Sequence, residues 1–214
     1  MSLVLLVGIA VFSPALSVDK ILVRGTTTEN QKKISKVLES QIGKPLPQID
    51  SAEIAKLLQP FKEIESFTLV SAPPHTLVVR IVERTPIAIV YVGGNFYYFD
   101  PAGVNLGRAK DTSKLPVLDI KGNPGKSENF KIAVSVLLAL PAELLPKIAL
   151  ISATSIDNVS FRIRGYAAQK VIWGDDSNAI LKSRVLAALM KNQSVNDRVT
   201  YDVSSPTAPT VRYH

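Results

Sequence analysis

Residues able to carry chemistry are few in this chain and badly spaced for it. Gly125-Lys126-Ser127 sits between a strand pattern and a helix pattern, where a phosphate-binding loop would end. Such a loop needs a glycine five positions earlier, and that position is Ile120. A turn ending in a serine helix cap accounts for the triplet. Asp175-Asp176-Ser177-Asn178 resembles a fragment of a calcium loop but lacks its glycine and distant glutamate, so it reads as a turn with Asn178 capping the next helix. His75 and His214 are the only histidines, and cysteine is absent. Disulfides, thiolate catalysis and cysteine zinc sites are excluded, and a histidine metal or proton-transfer site has too few ligands. Glu63 and Glu65 form an acid pair too ordinary to mark a catalyst. Trp173 and the aromatics of Phe96–Phe99 read as core, because no dense basic-aromatic array accompanies them. The expectation is a protein that is not an enzyme, with no cofactor, no metal, no small-molecule substrate and no nucleic acid.

The elements that surround these residues define two domains and an apolar leader. Met1–Val18 carries no charge until Asp19, and eighteen helical residues span about 27 Å, close to the roughly 30 Å hydrocarbon core. Residues 1–17 are therefore expected to form a transmembrane helix. A signal peptide cleaved near Ala15-Leu16-Ser17 and a buried helix are the alternatives, but no basic residue precedes the apolar core as a signal peptide requires. Lys20 and Arg24 follow the segment, which conflicts with the positive-inside rule unless a basic tail precedes Met1.

Residues 18–84 read as β-α-α-β-β. A strand at Val18–Gly25 precedes a helix opened by a Thr26-x-x-Glu29 capping box, with Ile34, Val37, Leu38 and Ile42 on its inner face and Gly43 as C-cap. Lys32, Lys33 and Lys36 lie on its outer surface and form a candidate second docking surface for an acidic partner, or simply a solvated face. Asp50 opens a second helix with Ile54, Leu57, Leu58 and Phe61 inward, and two strands close the domain.

Residues 85–214 read as a mixed or antiparallel β-domain with flanking helices, giving an α+β protein overall. Gly93-Gly94-Asn95 marks a hairpin, and Asp100–Gly103 a turn. Strands are expected at Pro116–Ile120, Lys147–Ala153, Val159–Arg164, Gln169–Trp173, Arg198–Val203 and Thr210–Tyr213. Helices are expected over Glu128–Leu140 and Asn178–Met190, the latter with Ile180, Leu181, Val185, Leu186 and Leu189 inward. With 46% hydrophobic and 20% charged residues among 214, two packed cores are affordable, and the net charge of +7 suits an anionic lipid or acidic partner without choosing one.

The order of FSPALSVDKILVRG, G-K-P-L at Gly43–Leu46, VERTPIAIVYVGG, FYYFDPAGV, LPVL, VIWG before LKSRVLAALM, and YDVSSPTAPTVRY resembles the FtsQ/DivIB family of bacterial cell-division proteins, over nearly the whole chain. That resemblance implies a single-pass plasma-membrane protein, N-terminus cytoplasmic and C-terminal domains extracytoplasmic, located at the division septum. It implies a POTRA-type first domain, a β-domain, and a non-enzymatic scaffold role with partners of the FtsB/FtsL or DivIC type, alongside the septal wall-synthesis machinery. The partner would add a strand at the C-terminal sheet edge, on Ser205, Thr207, Ala208, Thr210, Val211, Arg212 and Tyr213. The competing functions are a POTRA-containing export or envelope-assembly component, and a secreted wall-polymer enzyme.

Overall fold

A computed structural model describes residues 16–120, 122–191 and 193–214. The expected membrane helix falls almost wholly outside them. Among the described residues no helix is long and apolar enough to cross a membrane. The chain divides into two compact units, with the boundary between Arg84 and Thr85.

The first unit is a three-stranded sheet of order β1-β3-β2, from β1 (Lys20–Arg24), β2 (Ile64–Ala72) and β3 (Thr76–Glu83). β1 runs parallel to β3, and β2 antiparallel to it. Helices α1 (Thr28–Leu38) and α2 (Ser51–Leu58) supply Ile34, Leu38, Ile54 and Leu58 to a core shared with Val23, Leu77, Val79 and Ile81. Alternation along the strands leaves Leu22, Arg24, Val78 and Arg80 on the opposite face.

Two local expectations need correction. The cap of α1 is Thr27, whose hydroxyl accepts from the Asn30 amide at 3.4 Å. Thr26 is unavailable because its hydroxyl donates to Glu83 Oε1, and Glu29 pairs with Lys33 at 2.6 Å rather than turning back. Ile42 is 50% exposed, whereas Gln41 is fully buried. The α-helix stops at Leu38 and a 3-10 turn follows at Glu39–Gln41, so the helical phase that would bring Ile42 inward is lost. Gln41 instead donates to Glu53 Oε1 at 2.8 Å. Gly43 does adopt a left-handed φ of 85°, but beyond that turn, where its amide bonds Val18.

The second unit is a nine-stranded mixed sheet of order β12-β11-β10-β9-β8-β7-β4-β5-β6. Its strands are β4 (Ala88–Val92), β5 (Asn95–Phe99), β6 (Asn105–Arg108), β7 (Val117–Asp119), β8 (Ile148–Ser155), β9 (Asn158–Ile163), β10 (Lys170–Gly174), β11 (Val199–Asp202) and β12 (Thr210–Tyr213). Gly93 and Gly94, both at positive φ, form the two-residue turn of the β4–β5 hairpin. β6 is an edge strand that the sequence pattern did not mark, because Asn105-Leu106-Gly107-Arg108 holds a single large apolar residue.

Three pairings in this sheet are parallel, β4 with β7, β7 with β8 and β10 with β11, and the last two join strands whose connection is a helical crossover. α3 (Glu128–Ala139) connects β7 to β8, and α4 (Ala179–Met190) connects β10 to β11. Ser127 caps α3 by accepting from the Phe130 amide. Arg164 binds this frame together: its guanidinium donates to the carbonyls of Thr112, Leu115, Pro146 and Ile148 at 2.9–3.2 Å. Phe130, Phe161, Trp173 and Tyr201 are buried between helices and sheet.

α4 is the main departure from expectation. Ile180 and Leu181 are 63% and 44% exposed, while Lys182 is fully buried. The Lys182 ammonium donates to Asp175 Oδ1 at 2.7 Å and to the Asp175 carbonyl at 3.0 Å, and lies 5.7 Å from the Trp173 ring centroid. These partners hold a lysine inward and rotate the two aliphatic side chains out. Asn178 precedes the helix at a left-handed φ of 51° but makes no side-chain cap.

Candidate partner-docking edge

β12 is short because its flanks cannot extend it. The Ser204–Pro209 turn holds Pro206 and Pro209, and proline lacks the N–H a ladder needs. Asp202 nucleates that turn, its Oδ1 accepting from the Ser204 amide at 3.1 Å and hydroxyl at 2.7 Å. The Ala208 amide bonds the Ser205 carbonyl at 3.0 Å. The turn is also pressed on β10: a methyl group added at Gly174 would stand 3.0 Å from Ser204 Cβ, and Gly174 has a φ of 79°.

β12 pairs antiparallel with β11, Thr200 facing Arg212 and Tyr201 facing Val211. The His214 amide bonds the Arg198 carbonyl, which fixes the alternation of the ladder. Thr210 and Arg212 direct their main-chain groups at β11, and Val211 and Tyr213 direct theirs away from it. Among the described residues β12 has no strand on that second side.

The structure thus gathers Thr210, Val211, Arg212 and Tyr213 in one strand and Ser205, Thr207 and Ala208 in the turn before it. Val211 is half-buried against the core, and the other six are exposed. Tyr213 is 67% exposed, with its hydroxyl accepting from Gln193 Nε2 at 2.9 Å. Arg212 stands 3.8 Å from Asp202. Beneath the edge, the buried Tyr201 hydroxyl donates to Gln169 Oε1 at 3.1 Å, and burial pushes its pKa up. Gln193 and Asp202 carry this geometry without having been singled out in the sequence, because contacts across long sequence gaps leave no periodic trace.

Lys32, Lys33 and Lys36 lie exposed on α1, in the other unit. Lys33 is engaged by Glu29, whose carboxyl is held below its usual value by that hydrogen bond. Lys32 and Lys36 have no carboxylate within ion-pair distance among the described residues.

The remaining motifs resolve as turns. Gly125-Lys126 belongs to a 3-10 turn that crosses close to Gly103, where an added methyl would stand 2.6 Å from Gly125 Cα. Asp175 bonds Ser177 and Lys182, and the Lys182 hydrogen bond lowers its carboxyl to about 2. Among the described residues no group of three or more His, Asp or Glu side chains is placed to hold a metal ion.

Comparison with known proteins finds relatives by sequence. Residues 16–84 match the model of the FtsQ-type POTRA domain. The chain is 33% identical over 207 residues to the cell division protein FtsQ of Mycobacterium leprae, covering 96% of this chain and 59% of that protein. It is 30% identical over 202 residues to FtsQ of Mycobacterium tuberculosis, covering 94% and 62%. Against FtsQ of Streptomyces griseus it is 29% identical over 205 residues, covering 92% and 97%. The chain therefore spans about three fifths of the length of the mycobacterial relatives and nearly all of the Streptomyces one. The major extracytoplasmic domain of DivIB from Geobacillus stearothermophilus covers 38% of this chain and 71% of that one at 22% identity, with a TM-score of 0.29, too low to bear on the fold. The first unit thus carries the match to an FtsQ-type POTRA domain, and along nearly its whole length the chain is similar to cell division proteins named FtsQ.

Proposed function

We propose that this chain acts in bacterial cell division as a non-enzymatic scaffold, docking membrane division proteins of the FtsB/FtsL or DivIC type by strand addition at β12. Its first domain, residues 18–84, stands between a single membrane-spanning segment at residues 1–17 and the β-domain, residues 85–214. Both domains lie outside the cytoplasm, at the septum.

The observation that carries this reading is the free side of β12, where Val211 and Tyr213 turn their backbone groups outward at the end of a nine-stranded sheet. An unpaired edge is a template for an added strand. Tyr213, Arg212 and the exposed turn residues Ser205, Thr207 and Ala208 flank that edge, and aromatic and arginine side chains supply most of the energy in many interfaces.

The test is binding of the FtsB/FtsL pair to the full chain and to variants at the edge. Val211→Asp places a charge against the core side of β12 and Tyr213→Ala removes the exposed ring, and each is expected to weaken binding by about tenfold or more. Unchanged affinity in both would overturn the edge assignment. Normal septation after depletion of the protein would overturn the division role itself.

A further inference from the structure

α4 presents aliphatic side chains to solvent although it packs on a core. Its inward positions are Ala179, Lys182 and Leu186, and the helical phase this sets leaves Ile180 and Leu181 outside. Ile180, Ser183 and Ala187 fall at i, i+3 and i+7, one line along the helix. Ser183 and Ala187 of that line form one lip of a groove of about 310 Å³, and Ile180 stands one turn before them, outside its lining. Leu144, Ile163, Tyr166, Leu186 and Met190 give it an apolar lining.

That lining also carries basic charge. Lys147 stands on the wall opposite α4, and Arg184 is exposed on α4 outside the lining, one turn before Ala187. Neither has a carboxylate within ion-pair distance among the described residues. Arg164 also borders the groove, with its guanidinium already donating to four backbone carbonyls.

We propose that this groove is a second docking surface, separate from β12, which takes an amphipathic α-helix of a partner protein with an apolar stripe flanked by acidic side chains. A strand does not fit. The main chain of both walls is already paired, in α4 and in the turn where the Lys147 amide bonds Leu144 and its carbonyl accepts from Arg164. Side-chain-lined apolar grooves of this kind receive helices through anchors at i, i+3, i+4 and i+7. The small Ala187 lets a helix backbone approach closely, and Lys147 and Arg184 match acidic flanks. A lipid surface fits less well, because the apolar residues line a concavity instead of projecting from a ridge.

The probe is a fluorescently labelled 18-residue peptide with leucines at i, i+3, i+4 and i+7 and glutamates flanking them. It is titrated against the full chain in neutral-lipid nanodiscs and followed by anisotropy. Saturable binding is expected, weakened about tenfold or more by Ala187→Glu, which puts bulk and a like charge at an exposed lip position. Lys147→Glu, which reverses the charge of an exposed lining residue, acts in the same direction and guards against a folding artefact, with circular dichroism checking both variants. A control peptide with lysines for the glutamates is expected to bind at least about fivefold more weakly. Equal binding by wild type and Ala187→Glu, or by the two peptides, overturns the proposal. So does a result in which Ala187→Glu abolishes only self-association, seen by sedimentation, or only binding to anionic vesicles.

Discussion

Helices α1 and α4 have similar lengths, 11 and 12 residues, yet they treat lysine and isoleucine in opposite ways. α1 keeps Ile34 fully buried and Lys32, Lys33 and Lys36 in solvent. α4 keeps Lys182 fully buried and leaves Ile180 63% exposed. The difference lies in what precedes each helix. α1 follows a threonine turn whose side chains bond Glu83 and the helix amides, so nothing competes for the interior. α4 follows Trp173 and Asp175, a ring and a carboxylate that together make an interior place for one ammonium. Hydrophobic periodicity sets a helix face when the alternatives are water and hydrocarbon. It yields where one polar group finds its charge partner inside.

A matched pair of substitutions breaks this comparison most visibly. Ile34→Asp buries an unpaired carboxylate and is expected to destabilise the first unit by about 4 kcal/mol, whereas Ile180→Asp is expected to stay within about 0.5 kcal/mol. Urea denaturation followed by circular dichroism measures both, and equal effects would mean that α4 is not inverted. Next in size is the ion pair itself. Asp175→Ala leaves a buried ammonium without its counter-charge and is expected to cost about 2 kcal/mol, less than a fully buried pair because Asp175 is partly exposed. Adding Lys182→Met should restore much of that loss, since methionine keeps the volume and removes the charge. Strict additivity in the double variant would remove the coupling.

The smallest effect is the dependence on acid. The Lys182 hydrogen bond and that from Ser177 lower the Asp175 carboxyl to about 2, below its value in an unfolded chain. Because the folded value is the lower one, the stabilisation is fully present above about pH 4 and is lost as pH falls toward 2. Lys182→Met should flatten stability within that window and leave it unaffected near neutrality relative to its own baseline. A slope identical to wild type would assign the acid sensitivity elsewhere.

The α+β class, the β-α-α-β-β order of the first unit and the strands around Trp173 were legible because each rests on a local period or a turn signal. The Gly93-Gly94 hairpin and the Ser127 cap are of the same kind. The failures share a physical cause. Thr26 lost the cap to Thr27 because Glu83, far along the chain, took its hydroxyl. Gln41 entered the core ahead of Ile42 because Glu53 received its amide after the helix had tightened. Lys182 turned inward because Asp175 was there. In the candidate site the residues of β12 were visible in the sequence as a terminal strand. The free side of that strand depends on sheet order, which places β7 between β4 and β8 and leaves β12 last, and no single segment encodes that order.

The alternation of β12 sets a limit on what can polymerise along it. Within β12 Val211 and Tyr213 offer the outward N–H groups, and the next outward position toward the turn is Pro209, which has none. A strand added here is held by a few main-chain hydrogen bonds and then meets a proline. Two copies of the sheet meeting edge to edge would gain too little from their backbones to stack into a ribbon. For the strand addition proposed above, selectivity would then come from side chains, with a partner matching the Tyr213 ring and the Arg212 charge, while a generic extended peptide would gain little from so short a ladder.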